Sequence, residues 1–172
     1  MQDNYKISSL KEMLQKSGEV FGDRQAYEID GEIITHKEFR KRVDYLGTAL
    51  INAGLKGKRI GVIGENSINW EYSYLAIVCG TGVVVPLDRA LPANELESLI
   101  KRSEINAIFF DSKYEEIIKN ISKKADNKLE TLITMGETED TNIMKQKDLL
   151  KKGKELVEKN VGNVGGQQNL NN

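Results

Sequence analysis

Between residues 58 and 135 the chain repeats one pattern, a short apolar run followed by a longer amphipathic one. The apolar runs are Lys58 to Ile63, Gly82 to Leu87, Asn106 to Phe110 and Thr131 to Met135. They begin roughly 24 residues apart. The first intervening helix is capped near Ser67 or Asn69 and runs to Val78. The second enters through Pro92 near its first turn and carries Leu96, Leu99 and Ile100. Ser112 with Glu115 caps the third, which bears Tyr114, Ile117, Ile118 and Ile121. Parallel strands cannot be joined by a tight turn and need a helix-length crossover. Short apolar strands separated by amphipathic helices therefore predict an α/β fold, a parallel sheet flanked by helices.

A different pattern precedes this repeat. Residues 8–21 read as an amphipathic helix with a Ser9–Glu12 capping box and an apolar face of Leu10, Met13 and Leu14. Gln25 to Asp30 and Glu32 to Ile34 read as two strands of a hairpin, joined at Asp30-Gly31, where glycine accepts positive φ. Thr35 and Glu38 form a second capping box. The helix behind it carries Phe39, Val43, Leu46, Leu50 and Ala53 as one stripe and ends at Gly54. After Gly136 the pattern decays. Gly136 to Asp140 reads as a solvated turn, and Asp148 to Lys159 as a frayed helix interrupted by Gly153. Gly162 to Asn172 has almost nothing to bury and is expected to be mobile. The lysine excess from Lys145 to Lys159 reads as a solvated face, with a docking patch as the alternative. The chain thus divides into residues 1–35 (helix and hairpin), 36–136 (parallel βα subdomain) and 137–172 (poorly ordered segment).

Composition narrows the function. The 172 residues suit one domain or a large subdomain, long enough to bury roughly 70% of the unfolded surface. With 25 basic and 26 acidic side chains, no global field steers the chain to nucleic acid or anionic lipid. A single cysteine, Cys79, excludes an internal disulfide and a multi-thiolate metal site, and its apolar surroundings read as burial. The single histidine, His36, has no second histidine or cysteine for zinc. No window is long and apolar enough for a membrane span and the N-terminus lacks an apolar signal core, so a cytoplasmic protein is expected.

Open parallel sheets bind ligands beyond the carboxyl ends of their strands, so those ends are the first places to look for chemistry. Gly61 to Gly64 follows a strand, but its spacing is not that of a dinucleotide loop. Gly80-Thr81-Gly82 precedes a strand instead of opening a helix, and no P-loop pattern occurs. Glu65, Asn66 and Ser67 lie just past one strand end, where they either reach a ligand or cap the next helix. Asp88 and Arg89 follow another strand end, in a turn, an ion pair or a ligand edge. Asn66, Asp88 and Arg89 are the ligand-edge candidates. Trp70 reads as a packing anchor. No paired carboxylates, Ser/His/Asp set or Cys/His set is available for acid–base or nucleophilic work, so no catalytic residue is assigned, and no metal site.

Several segments, in order, resemble the N-terminal part of the adenylate-forming acyl-CoA synthetases and related AMP-dependent ligases. Ile34-Thr35-His36-Lys37-Glu38-Phe39 looks like the family's opening to its first long helix. Gly54-Leu55-Lys56-Gly57-Lys58-Arg59-Ile60-Gly61-Val62 is similar to its strand entry, with Lys58 where aspartate is commoner. Asn66 and Trp70 match a pattern of the long-chain members. Val83-Val84-Val85-Pro86-Leu87-Asp88 and Leu91-Pro92-Ala93-Asn94-Glu95-Leu96 match two further segments, and the resemblance spans about residues 8–150.

The resemblance implies a Rossmann-like sheet that is an incomplete N-terminal subdomain of a larger catalytic domain. It implies an ATP-dependent acid–thiol ligase that converts a carboxylic acid to an acyl-adenylate and then to acyl-CoA. ATP, Mg and CoA are expected only for a complete family member, and none is expected to bind this chain alone. The family's phosphate loop, ribose aspartate and C-terminal lysine have no counterpart here. Some members hold the CoA 3′-phosphate with basic side chains of this region, but the pattern around Lys113 does not match, and that role is not carried over. The expected partner is the remainder of the ligase catalytic domain, with self-association as a second possibility. A truncated product, an expressed fragment and one piece of a split enzyme all fit. The alternatives are a partner-binding or structural module without catalysis and an independent flavodoxin-like ligand binder.

Overall fold

The computed structural model describes residues 6–29 and 31–168. The chain opens with α1 (Leu10–Val20), followed by the antiparallel hairpin β1 (Gln25–Ile29) and β2 (Glu32–Thr35), and then α2 (His36–Asn52). The repeat follows as β3 (Arg59–Ile63), α3 (Ile68–Ala76), β4 (Val83–Pro86), α4 (Ala93–Arg102), β5 (Ala107–Phe110), α5 (Glu115–Ser122) and β6 (Thr131–Thr134). A two-residue strand β7 (Met144–Lys145) and the long helix α6 (Gln146–Gln168) complete it. The sheet is five-stranded, in the order β4-β3-β5-β6-β7, and every pair is parallel. The hairpin stands apart as a two-stranded sheet.

Register explains the two cores. Ile60 lies between Val84 and Ala107, and Ile108 lies beside Leu132. Side chains alternate between faces with period two. Ile60, Val62, Ala107, Phe109 and Ile133 therefore pack with Phe39, Leu46 and Leu50 of α2 and Tyr72 and Ala76 of α3. Ile63, Ile108 and Phe110 pack on the other face with Leu96, Ile100, Ile118 and Ile121 of α4 and α5. All four residues of β5 are fully buried, as a central parallel strand covered on both faces must be.

Helix ends show where local chemistry wins. The Thr35–Glu38 capping box closes, with Glu38 N donating to Thr35 Oγ1 and Thr35 N donating to Glu38 Oε2, both at 3.2 Å. The Ser9–Glu12 box does not close. Glu12 N donates to Ser9 Oγ, but the Glu12 carboxylate reaches past Ser9 to Ser8 N at 2.8 Å and Ser8 Oγ at 2.6 Å. Only Leu14 of the expected α1 face is buried, while Leu10 and Met13 are exposed. On α2, Ala49 belongs to the buried stripe and Ala53 is the C-cap. Pro92 is itself the N-cap of α4. Ser112 does not cap α5, because its hydroxyl donates to Glu137 O at 2.9 Å and a short 3-10 turn, Ser112–Tyr114, intervenes. Asp30, half of the expected turn, lies outside the described residues; Gly31 has the positive φ of 81° that the turn requires.

The largest difference from the sequence reading falls in residues 137–172, expected to be poorly ordered. β7 extends the sheet beside β6, and α6 packs along α2. Leu149 enters the core beside α2. Gln146 is buried and donates to Asn69 O and Ser73 Oγ, both at 2.8 Å, which pins α6 to α3. Gly153 lies within the helix and marks its crossing with α2. The backbone of α6 continues to Gln168, and the end of the expected mobile tail, residues 169–172, lies outside the described residues.

Candidate functional site

Three loops leave the carboxyl ends of β3, β4 and β5 side by side, and their side chains tie them together. Gly64 follows β3, and a Cβ there would lie 2.7 Å from Asp111 Oδ2 and from Met135 Cε. Only glycine leaves room for Asp111, at the end of β5, to reach across and accept a hydrogen bond from Glu65 N at 2.6 Å. Burial pushes the Asp111 carboxyl above its ordinary range, while Lys113 opposes the shift.

The Glu65 carboxylate is held by two cations, Arg89 from the loop after β4 and Lys113 from the turn after β5. Lys113 also lies over the Tyr114 ring at 5.2 Å, and Tyr114 Oη donates to Arg89 O at 3.2 Å. Each of the three charged side chains is about half exposed. Pairs of that exposure contribute roughly 0–1 kcal/mol each to stability, so the cluster organises loops more than it stabilises the fold.

The ligand-edge candidates part company here. Arg89 belongs to the cluster. Asp88 is exposed and turns its own loop, accepting from Ala90 N at 2.8 Å. Asn66 is exposed and its side chain makes no hydrogen bond among the described residues. Ser67 is the cap of α3, accepting from Trp70 N at 3.2 Å. Trp70 is partly buried against the core and stacks on Tyr74 with centroids 5.3 Å apart. The sequence reading leaves Asp111 out, considers Lys113 only for a role it does not carry over, and places Tyr114 on the apolar face of a helix. Their signal was their place in the βα repeat, since each stands just past a strand end, as Glu65 and Arg89 do.

Elsewhere the reactive residue types serve packing. His36 Nδ1 is 2.7 Å from Ser17 Oγ and its ring lies beside Phe21, which fastens α1 to the start of α2. Cys79 is partly buried, in a π-helical turn (Ile77–Thr81) after α3, and burial together with Asp44 pushes its thiol upward. A raised thiol is a poor nucleophile. Tyr27 donates to Glu71, joining the hairpin to α3. Among the described residues no three His, Cys, Asp or Glu side chains come together to hold a metal ion.

Comparison with known proteins supplies what this geometry lacks. The long-chain-fatty-acid–CoA ligase 5 of Rattus norvegicus is 31% identical over 125 residues, covering 70% of this chain and 17% of the relative. Among solved structures, the anthranilate CoA ligase AuaEII in complex with anthranoyl-AMP superposes with a TM-score of 0.76 at 18% identity. That match covers 84% of this chain and 28% of the other. The coronafacic acid ligase of Pectobacterium brasiliense gives 0.74 at 21% identity, over 84% of this chain and 29% of that one. The chain thus spans less than a third of each of these relatives. The model of the family described as AMP-binding enzyme matches residues 14–165, nearly the whole fold, and the chain belongs to that family as a counterpart of its N-terminal portion.

Proposed function

We propose that this chain is the N-terminal wall of an ATP-dependent acid–thiol ligase of the long-chain acyl-CoA synthetase type, working in the cytoplasm in fatty acid metabolism. In the complete enzyme a carboxylate oxygen attacks the α-phosphorus of ATP and pyrophosphate leaves. The thiol of CoA then attacks the acyl carbon and AMP leaves. The residues of this chain do neither step. They form a folded support on which the rest of the catalytic domain packs, with Arg89 at the edge that faces the ligand side of the sheet. Alone, the chain is inactive.

The observation that carries this reading is the family match over residues 14–165, joined to a fold that spans only 28% and 29% of two related ligases. The test is acid-dependent ATP–pyrophosphate exchange across a panel from acetate to palmitate. The chain alone is expected to give background, and the chain mixed with a separately expressed remainder of a related ligase to restore exchange. Exchange by the chain alone would overturn the proposal.

A further inference from the structure

Helices α2 and α6 enclose an open groove of about 490 Å³ lined by Glu38, Lys41, Arg42, Tyr45, Leu150, Lys151 and Lys154. Four of its seven lining side chains are cationic, in a chain whose formal net charge is −1. The cations come from two helices, not from one solvated face. Those helices cannot slide or part freely, because Gly153 of α6 sits directly on the Tyr45 backbone.

The available carboxylates do not neutralise this groove. Glu38 lines the groove and keeps its charge while capping α2, accepting from Thr35 N and Thr35 Oγ1, so one carboxylate there stands against four cations. Glu32 holds Arg42 at 2.9 Å, and Tyr72 Oη lies 3.5 Å from the same guanidinium, so Arg42 is fixed in place. Among the described residues Lys154 has only Glu158 of its own helix, at 3.9 Å. Lys41 and Lys151 have no carboxylate partner among the described residues. Leu150 and the half-buried Tyr45 supply an apolar floor.

We propose that this groove binds an anion carrying several closely spaced phosphates. Lys41, Lys151 and Lys154 supply mobile point charges around the groove, and Arg42, whose terminal nitrogens already meet Glu32 and Tyr72, is a fixed positive wall. A single carboxylate would use one of these cations, whereas clustered phosphates engage the three lysines together. The site lies on helices outside the loops at the carboxyl edge of the sheet, so it is independent of the ligase reading. Clustered phosphates occur both in soluble polyphosphates and in phosphoinositide headgroups.

The whole 172-residue chain is titrated calorimetrically with tripolyphosphate at low and at high salt, and sedimented with phosphatidylcholine vesicles with and without phosphatidylinositol bisphosphate. Saturable binding of either probe that weakens with salt is expected. The pair K41Q/K151Q should weaken it on the order of tenfold. The control pair K56Q/K123Q, exposed lysines remote from the groove, should change it by less than about twofold. Binding of tripolyphosphate alone identifies a soluble ligand, and binding of the vesicles alone identifies a headgroup. No saturable binding of either at low salt, or equal loss in both lysine pairs, would overturn the proposal.

Discussion

Gly153 lies against the carbonyl of Tyr45 so closely that a Cβ at residue 153 would stand 1.8 Å from Tyr45 O and 2.5 Å from its carbon. No side chain larger than hydrogen fits that crossing, and the neighbour is backbone that cannot rotate away. Alanine would gain about 1 kcal/mol in helix propensity. Overpacking costs typically 1–3 kcal/mol, and more where backbone must shift. Gly153→Ala is therefore expected to lower the urea midpoint despite its better propensity. An unchanged or raised midpoint would mean that α6 does not pack on α2.

That crossing shows why part of the fold was hidden in the sequence. A glycine inside a lysine-rich run reads as a break when the neighbouring helix is unknown, yet here it permits tertiary contact. Gln146, polar by type, gave no sign that Asn69 and Ser73 would meet it inside the core. The β3 to β6 repeat was legible because short apolar-rich runs alternate with amphipathic helices at an even spacing, and the Thr35 cap because its partner is three residues away. Strand β7, only two residues long and opening on the exposed Met144, carries no such run. At the candidate site, the sequence placed Arg89 and Glu65 at strand ends, but their pairing depends on the order of strands in the sheet.

Gln146→Leu removes both hydrogen bonds at once and leaves the Ser73 hydroxyl buried with one partner fewer. Ser73 Oγ still donates to Asn69 O, so the loss is of two hydrogen bonds at about 0.5–1.5 kcal/mol each, and destabilisation of that order is expected. Amide exchange should quicken first in α6, where the pin is lost. Uniform quickening, with no bias to α6, would count against a local pin.

Asp140 provides a pH test. Lys119 lies 2.6 Å from its carboxylate and Asn142 N donates to it at 3.0 Å, and these partners hold its pKa down to about 2 against the ordinary 3.8. A carboxyl depressed on folding adds stability above its unfolded pKa and loses it as pH falls through the folded value. The stabilisation is therefore present at pH 5 and fades between about pH 4 and 2. Asp140→Asn should lower the unfolding midpoint at pH 5 and have a smaller effect near pH 2. A deficit constant over that range would show that the ion pair is not the cause.

Trp70 is only partly buried, so its truncation should cost less than the 3–5 kcal/mol typical of a fully enclosed aromatic. Loss of its stack on Tyr74 is worth about 0.5–1.5 kcal/mol beyond the area lost. Its fluorescence should be quenched by iodide to a degree between those of free and enclosed indole. Complete shielding would place it in the core.

The sheet order leaves β4 with a neighbour, β3, on one side only, and among the described residues nothing pairs with its outer edge. Val83, its first residue, is 55% exposed, and the strand carries no charge to deter pairing. Apolar edges recruit further strands; here the edge is short and Pro86, which has no N–H to offer, blunts one end, so recruitment rests on Val83 to Val85. The chain is therefore expected to self-associate at high concentration, or to bind a separately expressed remainder of a ligase through this edge. Val83→Lys puts a charge on the edge without entering either core, so it should shift sedimentation toward monomer while leaving the unfolding midpoint nearly unchanged. A wild-type chain that stays monomeric at high concentration and binds no hydrophobic dye would mean that the edge is closed without a partner. In that case the surface expected to meet the rest of a ligase would have to be sought on another face, with the exposed side of α1 next, where Ile7, Met13, Val20 and Phe21 line an apolar groove.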